Sequence, residues 1–510
     1  MRRMLLTIAA TMAATSLQAA IADPVRLDSG QVAGADGAGT DVRVFKGIPY
    51  AAPPVGPLRW HAPMPAARWN GVRKADTFSA ACMQSGRQRE GELPFSEDCL
   101  YLNVWTAAKS AAERRPVMMW IYGGGMRTGS AARPNFDGDA LAQKGVVIVT
   151  INYRVGLMGS FAHPELTRES GHDSSGNEAL LDMIAALEWI KRNIAAFGGD
   201  PTNVTIFGQS SGAGSVNNLM ASPLAKGLFH RAISESTGGT RLGRNSSATL
   251  AQAEQSGLQF AAKAGASSLA ALRAMPAADL QKMEWNNLHN IDPWVQPLDL
   301  GPAMTSHRNN DVPLLAGSNS DELTGSTATL SNDKYMALVQ QRSKDAAQQF
   351  LAMYPGGNDG IAEKSQRAEA RDRRAWMARP LVKLQVGTGR SRSWLYFFSR
   401  NPEGRGDPTA EYPALVKPGA SHGAEIAYSW GNLSASNKPW QPWDHTLSDM
   451  LSSYWVNFAR NGDPNGPGLP AWPAYDAGKD ELMHFSDKVE FGPSPIRKSV
   501  ARADAYYSGE

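Results

Sequence analysis

The stretch "NVTIFGQSSGAGSV", residues 203 to 216, decides how the rest of the chain is read. Asn203 to Phe207 is a short strand-like apolar run. Gly208-Gln209-Ser210-Ser211-Gly212 then follows the pattern G-x-S-x-G, and small residues continue into a run that can begin a helix. A serine exposed on a strand-to-helix turn needs such neighbours, because the turn is tight and the backbones lie close. The pattern alone is weak. With 49 glycines in 510 residues, about a third of one match arises by chance. A second match stands at Gly419-Ala420-Ser421-His422-Gly423, but it follows "YPALVKPGA", with Pro418 just upstream and no comparable strand. Ser210 is therefore the candidate nucleophile, and 419–423 reads as a loop.

Working outward, "PVMMWIYG" (116–123) and "GVVIVTINYR" (145–154) are near-continuous apolar runs with β-branched residues, as strands buried on both faces require. Between them and the elbow, Leu180, Leu181, Ile184, Leu187 and Ile194 recur at helical spacing. Gly198 and Gly199 stop that helix, and Pro201 prevents its return. Strand, helix, strand in this order predicts βαβ units around a parallel sheet. Neither an internal repeat nor a linker rich in Gly, Pro or Ser divides the chain.

A serine hydroxyl needs a base, and the base needs an acid to orient it. With the serine on such an elbow, the order along the chain is serine, acid, histidine. "DVPLLAGSNSDELTG" (311–325) offers Asp321 and Glu322 just past a strand-like run, and sequence chemistry does not separate the two. "GASHGAEIAYSWGNL" (419–433) offers His422 in a glycine-flanked loop. Donors for an oxyanion are offered by "WIYGGGM" (120–126), where three glycines follow a strand and leave backbone N–H groups unobstructed.

The first residues, "MRRMLLTIAATMAATSLQAAIAD", read as a secretory signal peptide. Arg2 and Arg3 form its positive start, a short apolar stretch follows, and Ala20-Ile21-Ala22 offers a cleavage site before Asp23. The division expected is a signal over 1–22 and a single domain over 23–510. Losing Arg2 and Arg3, the only charged side chains of the leader, takes the net charge from +3 to +1. A near-neutral surface argues against nucleic acid or an anionic membrane as partner, and no later segment is apolar enough to span a bilayer. An exported chain meets an oxidising compartment, so Cys82 and Cys99, its only cysteines, are expected to pair. Two cysteines without nearby histidines make an incomplete zinc site, and no metal is expected.

These residues resemble a family. "VFKGIPYAAPPVGPLRW" (44–60), "SEDCLYLNVW" (96–105), "WIYGGG", "NYRVGLMG" (152–159), "NIAAFGGDPTNVTIFGQSSGAGSV", "SHGAEIAY", "YWVNFARNGDPNG" (454–466) and "WPAY" (472–475) appear in the order found in type-B carboxylesterases. That group of α/β-hydrolases includes cholinesterases and para-nitrobenzyl esterases. The resemblance implies an α/β-hydrolase fold with elaborated loops over the site. It implies a Ser210–His422–Glu322 triad, choosing Glu322 over Asp321, and an oxyanion hole from the amides of Gly124, Gly125 and Ser211. It matches Cys82 and Cys99 to the family's first disulfide, and Arg59–Glu97 and Arg154–Asp182 to structural ion pairs. The chain departs from the family at Gln209, where glutamate is usual; at Ser211, where the backbone N–H is the part that matters; at Met126, in place of an aromatic that shapes the pocket; and at Leu323, in place of glycine.

The expectation is a secreted or periplasmic serine esterase that forms an acyl-enzyme on soluble aryl or alkyl esters and needs no cofactor. Two other readings are a lipase and a non-catalytic binding relative. The segment "MQSGRQREGELPFSED" (83–98) is polar rather than an apolar lid, and all three triad positions are filled. Trp294, in "HNIDPWVQPLDLGP" (289–302), is a candidate pocket residue beside Met126, and "RAEARDRRAWMARP" (367–380) reads as a solvated helix face.

Overall fold

The structure is a computed structural model that describes residues 21–39, 41–86, 92–236, 247–322, 329–343, 347–403 and 419–507. Residues 1–20 of the expected signal peptide, and Leu323, lie outside them.

The long apolar runs do form the middle of a large sheet. Its strands are β1 (Ala35–Asp36), β2 (Arg43–Pro49), β3 (Tyr101–Thr106), β4 (Arg115–Ile121), β5 (Val147–Ile151), β6 (Gly199–Gln209), β7 (Arg231–Glu235), β8 (Leu314–Asn319), β9 (Ser393–Phe398), β10 (Glu481–Phe485) and β11 (Val489–Pro493). The spatial order is β11-β10-β9-β8-β7-β6-β4-β5-β3-β2-β1. Pairing is parallel from β5 through β10 and antiparallel at both margins. All residues of β5, β8 and β9 are buried, which is why β5, β9 and the first half of β8 are apolar with little alternation.

Parallel pairing aligns the carboxyl ends. Gly208 lies opposite Ile121, Gln209 opposite Glu235, and Glu235 opposite Gly317. The chemistry-bearing loops therefore leave one edge of the sheet, where open α/β sheets bind ligands. Helix α1 (Glu178–Asn193) fills the crossover from β5 to β6, and a short 3-10 turn carries it on to Gly198, whose φ of 76° ends it. Pro201 falls inside β6 rather than in a loop. The register shifts between Gly199 and Val204, and such a bulge is where a strand tolerates proline. Helix α2 (Ser211–Ala221) follows β6 directly. Helix α4 (Pro442–Asn461) lies against the sheet beside β4 and β6. Trp120 of β4 packs on Phe207 of β6 and on Trp430, with ring centroids 4.8 and 5.3 Å apart, just beneath the elbow.

Helix α3 (Asp359–Thr388) corrects the reading of residues 367–380. Arg371 and Asp372 are buried and bonded to each other, Met377 and Ala378 are buried, and Arg379 is paired with Asp480 and Asp504. The helix packs against β8 and β9, so Arg371 and Arg379 spend their charge on buried and half-buried carboxylates, while Arg367 and Arg373 pair with Glu363 and Glu369 toward the surface.

The expected disulfide joins Cys82 to Cys99. Arg59 grips Glu97 through two nitrogens, and Arg154 grips Asp182 in the same way, both pairs being largely buried. At the amino end, Ile21 is buried and donates its N–H to the Ala108 carbonyl at 3.1 Å. A cut after Ala22 would delete that contact.

Candidate active site

Ser210 has φ 59° and ψ −127°, a strained combination for a residue with a Cβ. It is held there from both sides. Its N–H donates to the Glu235 carbonyl at 2.9 Å, and its own carbonyl accepts from Gly214 at 3.0 Å. The glycines are obligatory for packing. A Cβ on Gly208 would lie 2.7 Å from backbone of Gly212 and of Ile121, and one on Gly212 would lie 2.0 Å from the Ile121 carbonyl. The second G-x-S-x-G match has no such setting: Ser421 is exposed in a loop and pairs through backbone with Asp321.

That pairing brings the other two residues together. Asp321 donates its N–H to the Ala420 carbonyl at 2.9 Å, which lays the segment after β8 beside the His422 loop. Glu322 then reaches Nδ1 of His422 through Oε2, while its Oε1 accepts the Asn319 N–H at 2.6 Å. Glu322 is 2% exposed and His422 15%, so the carboxylate is shielded and the imidazole still opens outward. On the far side of the ring, the Gln209 carboxamide lies 3.3 Å from Nε2 of His422, which sets the base at the elbow.

The glycine loop completes the arrangement. Gly124 has φ 128° and Gly125 φ 67°, conformations that L side chains rarely adopt. Neither amide donates to another group among the described residues. A Cβ on Gly124 would strike the Thr128 carbonyl at 1.9 Å. Ser211 opens α2, where first-turn amides lack an intrahelical acceptor. Its hydroxyl has a task not foreseen in sequence, accepting the Met126 N–H at 3.0 Å and so tying the loop to the elbow. Met126 is nearly buried, and its sulfur accepts from the Ser215 hydroxyl at 3.3 Å.

Trp294 is not brought to this place. Its indole stacks on His172 with centroids 3.8 Å apart. The adjacent Val295 carbonyl is bound by Ser222, just past the far end of α2. The eleven residues of α2 span about 16 Å, so Ser222 and the Val295 carbonyl stand at the end of the helix away from Ser210.

Two further groups near the triad escaped sequence reading. Glu425 is fully buried and accepts from Ser236 at 2.7 Å and from the Asn319 amide. Burial, then the charge of Glu322, pushes its carboxyl up to about 7. Glu235, at the end of β7, is also fully buried. It accepts the Trp455 indole N–H at 2.6 Å through Oε1, while Oε2 has no partner among the described residues. Burial, then Glu425, holds it well above the carboxylate range. "RAISE" and "SHGAE" carry both acids, but only the fold shows that they approach.

The sheet, with its elbow at a carboxyl edge and a histidine–carboxylate pair beside it, defines an α/β-hydrolase. The chain belongs to the carboxylesterase family, whose model matches residues 22–503. It is 36% identical over 490 residues to the fumonisin B1 esterase of Sphingopyxis macrogoltabida, covering 91% of this chain and 86% of that one. It is 35% identical over 482 residues to the medium-chain fatty acyl-CoA hydrolase precursor of Anas platyrhynchos, covering 85% and 83%. Among solved structures it is similar to a thermophilic PNB esterase, with a TM-score of 0.80, 30% identity, and coverage of 94% of this chain and 99% of that one. The protein is a carboxylic ester hydrolase that acts on small-molecule esters.

Proposed function

We propose that hydrolysis runs through an acyl-enzyme on Ser210. His422 takes the hydroxyl proton at Nε2 as oxygen attacks the ester carbonyl. Glu322 holds Nδ1–H and stabilises the imidazolium that forms. The amides of Gly124, Gly125 and Ser211 receive the oxyanion, aided by the positive end of α2. The alcohol leaves with the proton from His422, water attacks the acyl-enzyme by the same route, and the acid is released. The observation that carries this reading is the Glu322–His422 contact beside a strained serine and two glycine amides with no acceptor among the described residues. A fluorophosphonate should label one site per chain, on the peptide containing Ser210, and abolish ester turnover in proportion. Full labelling of a Ser210→Ala variant would overturn the assignment.

The proposed substrates are soluble esters, in line with the polar composition of residues 83–98. The paired arginines of α3 give no support to an acidic substrate. Export by a cleaved leader, to the periplasm or the medium, is part of the same proposal. It is supported by the composition of residues 1–22 and by the Cys82–Cys99 bond. Among the described residues no helix is long and apolar enough to cross a membrane. Because Ile21 packs into the core, amino-terminal sequencing of the exported protein should find the cut at or before Ala20.

A further inference from the structure

Met126 has a backbone state that residues with a side chain seldom adopt. Its φ of 59° follows those of Gly124 and Gly125, 128° and 67°, so three successive residues lie in the left-handed region. Such a run persists only where its surroundings hold it. The Met126 carbonyl accepts the Gly156 N–H at 2.6 Å, and the Met126 N–H donates to the Ser211 hydroxyl oxygen at 3.0 Å. The Ser215 hydroxyl lies 3.3 Å from the Met126 sulfur and 3.1 Å from the Ser211 carbonyl, with one proton to share between them. The bond from Met126 to Ser211 is therefore the firmer tie to α2, and among the described residues it is the one hydrogen bond that the backbone of residues 123–129 makes to that helix.

At its other end the glycine run rests on the elbow. A Cβ added to Gly123 would lie 2.6 Å from the Gln209 carbonyl oxygen and 3.0 Å from Cβ of Ser210. The amides of Gly124 and Gly125 are thus slung between two contacts with the elbow piece, a packed one at Gly123 and a hydrogen bond at Met126.

Ser211 bears on the oxyanion hole twice. Its N–H is one proposed donor, and its hydroxyl oxygen holds the segment that carries the other two. Donors act on an oxyanion because they stand in place before its charge develops. Donors drawn from two separate segments keep their place only if the gap between the segments is fixed. We propose that the Ser211 hydroxyl is a positioning group for the oxyanion hole, setting the separation between its own amide and those of Gly124 and Gly125 by accepting the Met126 N–H. It exchanges no proton and forms no bond with the substrate. Alanine at 211 would keep the amide, lose the acceptor, and let the glycine run draw back by the small displacements to which such sites are sensitive.

The inference rests on the acyl-enzyme reading, and the test keeps the two apart. Native enzyme, Ser211→Ala and Ser211→Thr are compared on one soluble aryl ester, with active sites counted by fluorophosphonate and an aryl trifluoromethyl ketone as probe. In the ketone adduct the Ser210 oxygen bonds the carbonyl carbon, the hydroxyl proton passes to His422, and the former carbonyl oxygen carries the negative charge into the hole. Acylation and deacylation both pass through such an oxyanion. Ser211→Ala should therefore lower kcat roughly tenfold at unchanged KM, a smaller loss than the roughly 100- to 1,000-fold cost of removing a donor outright. It should weaken inhibition by the ketone by the same factor. Ser211→Thr keeps an oxygen on the same carbon and should restore most of both. A merely structural hydroxyl would instead lower the melting temperature or the site count of Ser211→Ala, leave kcat per counted site and ketone inhibition unmoved, and so overturn the proposal. A Ser211→Thr variant as impaired as Ser211→Ala would overturn it too. Failure of the acyl-enzyme reading would appear elsewhere, as a native enzyme that takes no label on Ser210 and is not inhibited by the ketone.

Discussion

At the scale of single residues, the serine was legible because its surroundings are local. A strand precedes it and small residues follow it, and both fix the turn without reference to the rest of the chain. Ser210→Ala should keep the fold and lower ester turnover by several orders of magnitude, since covalent catalysis is lost. Ser421→Ala should change it little, and equal losses would refute the choice of elbow. The acid was not legible from chemistry, because Asp321 and Glu322 are adjacent; backbone pairing spends Asp321 on the His422 loop and aims Glu322 at the ring. Glu235 was invisible for a different reason, since its neighbour Glu425 lies far away in sequence. Its carboxyl, and that of Glu425, bind protons in the folded state that the unfolded chain releases near the ordinary value of 4.5. Folded molecules therefore hold more protons, and stability falls as pH rises from that value through about 7 and beyond. Glu235→Gln keeps the oxygen that accepts from Trp455 and removes one titration. Its melting temperature should fall less between pH 5 and pH 8 than that of the native protein. Parallel slopes would show that Glu235 carries no such proton.

At the scale of elements, β6, the elbow and α2 act as one piece. The strand positions Gln209, the turn strains Ser210, and the helix supplies the hydroxyls of Ser211 and Ser215 to Met126 of the glycine loop. Small residues are scattered through this piece, and pattern alone does not rank them. Gly212 faces the Ile121 carbonyl at a distance no Cβ tolerates, whereas an added methyl on Gly214 meets nothing within 4 Å. Gly212→Ala should therefore fail to give active protein. Gly214→Ala, inside α2, should retain activity and stabilise by up to about 1 kcal/mol through helix propensity. Thermal melts and specific activity of the two purified variants decide the matter, and a reversed ranking would mean that α2 does not meet β4 as described. Helix α3 shows where pattern fails. Its alternating charges read as a wet surface, yet Arg371 and Asp372 neutralise one another in the interior, a pairing that burial alone reveals.

At the scale of the molecule, the parallel middle of the sheet was legible from apolar runs, while its antiparallel margins were not: β2 and β3, of seven and six residues, are as long as the middle strands, but which distant strand they meet, and in which direction, is not written in local pattern. One long-range tie joins the margin to the chemistry. Gln84, two residues past Cys82, accepts the Gly129 N–H at 2.8 Å and donates to the Gly129 carbonyl at 2.9 Å. Gly129 ends the loop that carries Gly124 and Gly125. The Cys82–Cys99 bond, spanning 17 residues, thus anchors a segment that braces the proposed oxyanion donors. Closing a loop of that length stabilises by about 3 kcal/mol through the entropy removed from the unfolded chain. Replacing both cysteines by serine should lower stability by about that amount. It should also reduce kcat at temperatures well below the melt, because the loop loosens before the core. The measurement is a pair of curves for each protein, esterase rate and far-ultraviolet circular dichroism against temperature. In the native protein the two should fall together. In the double variant activity should fall first. Coincident curves with an unchanged midpoint would show that neither the fold nor the glycine loop depends on the bond.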